Sequence, residues 1–87
     1  IIGGGVIGCE FASLFSILGV QVTILEMLPS ILPMESESIS KTLTKAFQKK
    51  GIKIETGVKV EKIETFDNGI QVKVAGDKTF AGDMALV

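Results

Sequence analysis

The chain has 87 residues, 46% of them hydrophobic, with nine lysines against ten acidic residues and neither arginine nor histidine. That length allows one small domain with a single core, and the net charge of −1 leaves no basic stripe for nucleic acid or a membrane surface. A lone cysteine excludes an internal disulfide and a cysteine-based zinc site, and without histidine the commonest general base is missing, so no catalytic residue and no metal ligand is assigned.

In chain order, Ile1-Ile2 reads as a strand running into Gly3-Gly4-Gly5-Val6-Ile7-Gly8, which fits GxGxxG. A pyrophosphate carries two negative charges, and a helix start offers unpaired N–H groups and the positive end of the helix dipole. Each glycine meets its own requirement. Gly3 takes the tight turn, Gly5 leaves space for the pyrophosphate, and Gly8 lets the helix pack closely on the strands. The chain opens inside this first strand, with no basic n-region of a signal peptide, and reads as part of a longer protein.

From Val6 to Leu18 the apolar residues cover most of a helical wheel, interrupted by Glu10, Ser13 and Ser16. A helix apolar nearly all round is buried on more than one side. With a mean hydropathy of +0.47, the chain is expected to place further protein against this helix. The stretch is too short to span a bilayer, and Gly19 stops it. Cys9, one residue past the last motif glycine and without a partner cysteine, reads as a small buried side chain. Glu10 either answers the helix dipole from the first turn or faces the nicotinamide end of a cofactor.

Val20-Gln21-Val22-Thr23-Ile24-Leu25 reads as the second strand, closed by Glu26 eighteen residues beyond Gly8. This is close to the spacing of the acid that binds the adenosine ribose hydroxyls of a dinucleotide. The bland alternative is an exposed carboxylate at a strand end.

Leu28-Pro29-Ser30-Ile31-Leu32-Pro33 is a loop. Glu35 to Lys50 then reads as an amphipathic helix with Ile39, Leu43, Ala46 and Phe47 on its buried face, acids at its start and lysines at its end. Ile52 to Glu55 makes the third strand. Val58 to Phe66 and Ile70 to Val74 follow as a hairpin turning at Asn68-Gly69, Ala75 to Lys78 turns into Thr79-Phe80, and Met84 to Val87 opens a further buried strand. The fold class is α/β: a Rossmann-like βαβαβ parallel sheet with an antiparallel β-meander in place of the third crossover helix.

On these residues the chain resembles the pyridine nucleotide-disulfide oxidoreductases, flavoproteins with two dinucleotide-binding domains. Within them it is most similar to the NAD-binding domain of the dihydrolipoamide dehydrogenases. The specific part is Ile2 to Glu10, then Val22 to Glu26, Lys50-Gly51-Ile52 and Val58-Lys59-Val60, within a likeness that covers residues 1–87 as one NAD-binding domain. The resemblance implies that Gly3, Gly4, Gly5, Val6, Ile7, Gly8, Cys9 and Glu10 line the pyrophosphate and the nicotinamide ribose. It also implies that Glu26 binds the adenosine ribose, that Val60 touches the adenine, and that Glu10 lies near flavin and nicotinamide. NAD is the implied cofactor here, and FAD the cofactor of a longer parent, bound mainly by regions with no counterpart in these residues.

The implied parent oxidises a dithiol to a disulfide and passes electrons through FAD to NAD⁺. It is expected to be a homodimer, cytoplasmic or in a mitochondrial matrix, and able to join a 2-oxo acid dehydrogenase complex. The redox cysteine pair and acid–base histidine of such a parent have no match in this sequence. NAD is expected over NADP, because two unit charges about 4 Å apart repel by about 4 kcal/mol at an effective dielectric near 20, and no arginine offsets Glu26. Three readings compete: the adenosine half of an FAD site, the equivalent domain of an NADH oxidase or mercuric reductase, and a non-catalytic NAD-sensing module.

Overall fold

The computed structural model describes residues 1–87. The element order is α1 (Val6–Ile17), β1 (Thr23–Leu25), α2 (Glu37–Lys49), β2 (Lys53–Glu55), β3 (Val60–Phe66), β4 (Gly69–Val74) and β5 (Lys78–Gly82). β1 and β2 pair in parallel, Ile24 opposite Ile54, and β3-β4-β5 form an antiparallel meander. A parallel bridge joins Ile2 to Leu25, which puts the glycine turn at the end of a third parallel segment beside β1. None of the helices is long and apolar enough to cross a membrane.

Alternation along β1 divides the core. Ile24 faces Cys9 and Ala12 of α1 and Phe47 of α2, together with Val22, Ile31 and Ile52. Leu25 faces the meander, where Val72 and Val74 are buried and Val58, Val60 and Phe80 pack around them. The parallel sheet therefore carries its helices on one face and the meander on the other, which is the expected exchange of a crossover helix for a β-meander.

Both helices end in the same way. Gly19 (φ +87°) and Gly51 (φ +84°) take the left-handed conformation, Gly19 N–H donates to Ser16 and Val20 N–H to Phe15, and Gly51 and Ile52 repeat the pattern on Gln48 and Phe47. These are Schellman stops.

Several elements differ from their expected bounds. The first strand is reduced to the single parallel bridge of Ile2 with Leu25. The second strand begins at Thr23, because Val20 is held in the α1 stop. Met84 to Val87 forms no strand: its backbone meets the first segment through one bond, Ile2 N–H to Leu86 C=O at 2.8 Å.

In the hairpin Phe66 pairs with Gly69, so the turn residues are Asp67-Asn68 and Gly69 opens β4 at φ +151°. The buried face of α2 is Ser40 and Phe47 with Leu43 half-buried, while Ile39 and Ala46 are exposed. Ser40 is drawn inward because its hydroxyl donates to the Ile31 carbonyl. Glu35 lies outside the helix, whose N-cap is Ser36.

Candidate functional site

The glycine turn divides into two halves. In the first, every polar group of Gly4 is already engaged by protein: its N–H donates to Glu26 Oε1 at 2.8 Å, and its carbonyl accepts from Leu32 N–H at 2.7 Å. Gly3 (φ +110°) turns the chain in a conformation that L side chains avoid, with its N–H on the Leu25 carbonyl at 2.8 Å. A Cβ on Gly8 would collide with the carbonyl of Gly3, which is the close approach of helix to strand end that the third glycine was expected to permit.

The second half is open. A Cβ on Gly5 would meet nothing within 4 Å. Gly5 caps α1 without a side-chain acceptor, and the first bond into the helix is Cys9 N–H to the Gly5 carbonyl at 2.9 Å. The amides of Val6, Ile7 and Gly8 therefore have no acceptor of their own. α2 shows the contrast: there Ser36 Oγ accepts from Ile39 N–H at 3.3 Å, and its first turn carries an acid, Glu37.

Above this open end lies a cleft of about 440 Å³ lined by Ile1, Ile2, Gly3, Gly5, Val6, Ile7, Gly8, Phe11, Leu86 and Val87. It sits where the first parallel segment has β1 on one side and the Leu86 backbone on the other. Open α/β sheets bind ligands in the crevice outside the carboxyl ends of their parallel strands, and the glycine turn lies at such an end.

Glu26 is buried, so the exposed-carboxylate alternative does not hold. With no cation beside it, its charge is met by two backbone donors, Gly4 N–H on Oε1 and Leu28 N–H on Oε2, both at 2.8 Å. Such charge-assisted bonds are what make a buried carboxylate tolerable. Each oxygen retains a lone pair for a further donor.

The structure thus gathers Gly3, Gly5, Val6, Ile7 and Gly8 around the cleft and sets Gly4, Cys9 and Glu26 behind it. Cys9 is buried with Sγ 3.5 Å from the Gly4 carbonyl. Burial, and then the Glu26 charge, raise the pKa of its thiol. Glu10 is exposed and lies off the cleft lining. Since α1 begins at Val6, Glu10 stands in the second turn, and the expected first-turn dipole role fails. Val60 opens β3 against Leu25 and Val74, near the end of β1 that carries Glu26.

The loop after Glu26 completes the turn. Ile31 is fully buried, and its Cγ2 would stand 2.9 Å from a Cβ on Gly4. Leu32 adopts φ +48° to direct its N–H at Gly4. The signal available in the sequence was Ile31-Leu32, two apolar residues inside a proline-bounded loop.

The family described as pyridine nucleotide-disulphide oxidoreductase matches residues 1–87. Dihydrolipoyl dehydrogenase of Chlamydia pneumoniae is 46% identical over 87 residues, covering 100% of this chain and 19% of that protein. The same enzyme of Mycobacterium leprae is 50% identical over 78 residues, covering 90% and 16%. The HOCl-induced flavoprotein disulfide reductase RclA from Escherichia coli, solved as a Cu(II) complex, superposes with a TM-score of 0.86 at 36% identity, covering 94% of this chain and 19% of that one. The chain thus spans less than a fifth of the length of each of these relatives.

Proposed function

The chain belongs to the pyridine nucleotide-disulphide oxidoreductase family, and from that premise we propose that residues 1–87 are the NAD(H)-binding domain of an FAD-dependent dihydrolipoamide dehydrogenase. The observation that carries this is the uncapped start of α1 at a glycine with open space around it, with a buried carboxylate tied to the same turn. The residues fit the cofactor. Val6, Ile7 and Gly8 offer amides to a pyrophosphate, Gly5 leaves it room, and the spare lone pairs of Glu26 accept from ribose hydroxyls. The cleft beyond Val6 takes the nicotinamide end, and Val60 borders the adenine.

Bound NAD⁺ supplies hydride acceptance from reduced FAD. This chain's part is to bind, to orient and to exclude water with the apolar wall of Ile1, Ile2, Val6 and Phe11. The flavin-binding part of the enzyme is the natural cover for the exposed face of α1. Homodimerisation, association with a 2-oxo acid dehydrogenase complex and a cytoplasmic or matrix location follow from the same reading.

A second reading, a related disulfide reductase, is favoured by the 36% identity to RclA, but the dihydrolipoyl dehydrogenases stand closer at 46% and 50%. The test is affinity. Glu26→Ala should weaken NAD⁺ by about 1 to 3 kcal/mol, the scale of losing hydrogen bonds to a charged group, as measured by calorimetric titration. Unchanged affinity, or NADP⁺ binding as tightly as NAD⁺, would remove Glu26 from the ribose.

A further inference from the structure

Glu26 is tied to the glycine turn before any ligand is considered. Oε1 takes the Gly4 N–H and Oε2 the Leu28 N–H, each at 2.8 Å. Leu32 N–H closes on the Gly4 carbonyl at 2.7 Å, and buried Ile31 sits over Gly4, where there is no room for a Cβ. Ser40 anchors Ile31 from α2. Gly4 is therefore gripped on three sides by the segment Glu26 to Leu32. The next residue, Gly5, begins the open half of the turn. Leu32 holds an unfavourable backbone conformation for a leucine (φ +48°), and such outliers persist only where the surroundings over-determine them.

From this we infer that Glu26 is a positioning residue for the phosphate-binding turn as well as a ribose acceptor: its carboxylate, with the Leu28–Leu32 loop, forms a clasp that sets the direction of the Gly5–Gly8 amides. The inference rests on the NAD reading for its ligand, and the clasp itself is a property of the protein alone. Glu26 joins the adenosine-ribose and pyrophosphate subsites through one side chain. The glutamine isostere breaks the clasp because its amide nitrogen cannot accept, so either Gly4 N–H or Leu28 N–H loses its acceptor.

The test is a double cycle on the full-length protein. Wild type and Glu26→Gln are each titrated with NAD⁺ and with an NAD⁺ analogue whose adenosine ribose lacks its 2′ and 3′ hydroxyls. If Glu26 served only those hydroxyls, the substitution would leave the analogue's affinity unchanged. The clasp predicts a further loss of about tenfold on the analogue, the consequence of losing one charge-assisted hydrogen bond.

Amide exchange in the cofactor-free proteins gives an independent reading. Gly4 and Leu28 should be protected in the wild type and exchange faster in Glu26→Gln, with Val72 and Val74 of β4 unchanged. Equal acceleration in β4 would reduce the effect to general destabilisation and overturn the proposal. If the variant fails to fold, the wild type still decides, because freely exchanging Gly4 and Leu28 amides contradict the clasp. Wild-type protein that ignores NAD⁺ but protects both amides would sink the NAD reading and leave the clasp standing.

Discussion

At the scale of single residues, the three motif glycines differ in what a side chain would do, and this gives them separable phenotypes. Gly5→Val places its Cβ in open space, so the sheet should form with unchanged circular dichroism while NAD⁺ affinity is abolished; retained binding would refute the assignment of that space to the pyrophosphate. Gly8→Ala drives a methyl into the Gly3 carbonyl and should instead cost stability, on the order of 1–3 kcal/mol for overpacking, as read by denaturant unfolding. The buried Cys9 thiol, its pKa raised first by desolvation and then by the Glu26 charge, should resist thiol-specific reagents at neutral pH until the protein is unfolded. Fast labelling of the native protein would contradict that burial.

The motif spacing made Gly3, Gly5, Gly8 and Glu26 legible, because each answers a local requirement of a turn, a helix start or a strand end. The grip on Gly4 was not legible. It is made by Ile31 and Leu32, from a loop whose contacts depend on how the chain folds back, and no periodicity encodes that.

At the scale of elements, the order of helices and strands follows from apolar period, glycine stops and turn residues, and the structure keeps that order. What moved were ends and faces. α2 turns Ser40 inward, a polar residue that shares the 3.6-residue face of Leu43 and Phe47, and its hydroxyl satisfies the buried Ile31 carbonyl. The hairpin turn slid by one residue, since at φ +151° Gly69 occupies a conformation closed to side chains while already pairing with Phe66. A Cβ there would lie 2.5 Å from the Gly82 carbonyl oxygen. Gly69→Ala should therefore lower the unfolding free energy by about 1–3 kcal/mol, whereas alanine at Gly76, which has open space but φ +89°, should meet only the conformational part. Equal stability of wild type and Gly69→Ala in urea would argue that Gly69 does not sit against the Gly82 carbonyl of β5.

At the scale of the molecule, the parallel sheet is covered by helices on one side and by the meander on the other, yet α1 remains largely uncovered. Ile7 is 71% and Ile17 73% exposed, although the all-round apolar pattern of this helix called for burial on more than one side. These two facts agree if the remaining faces belong against the flavin-binding part of the enzyme, as the function proposed above requires. The cleft shares that outlook: Val6, Ile7 and Phe11 line it from α1, so whatever covers the helix also closes the cleft.

The central claim is that the open end of α1 and the carboxylate behind it hold NAD, and amide chemical shifts during parallel titrations with NAD⁺, NADP⁺ and FAD test it most directly. The account predicts that NAD⁺ moves the amides of Gly5 to Gly8 and of Glu26 at concentrations where NADP⁺ and FAD leave them in place. Shifts at those amides with FAD alone, or no shift with NAD⁺ in a folded protein, would contradict it.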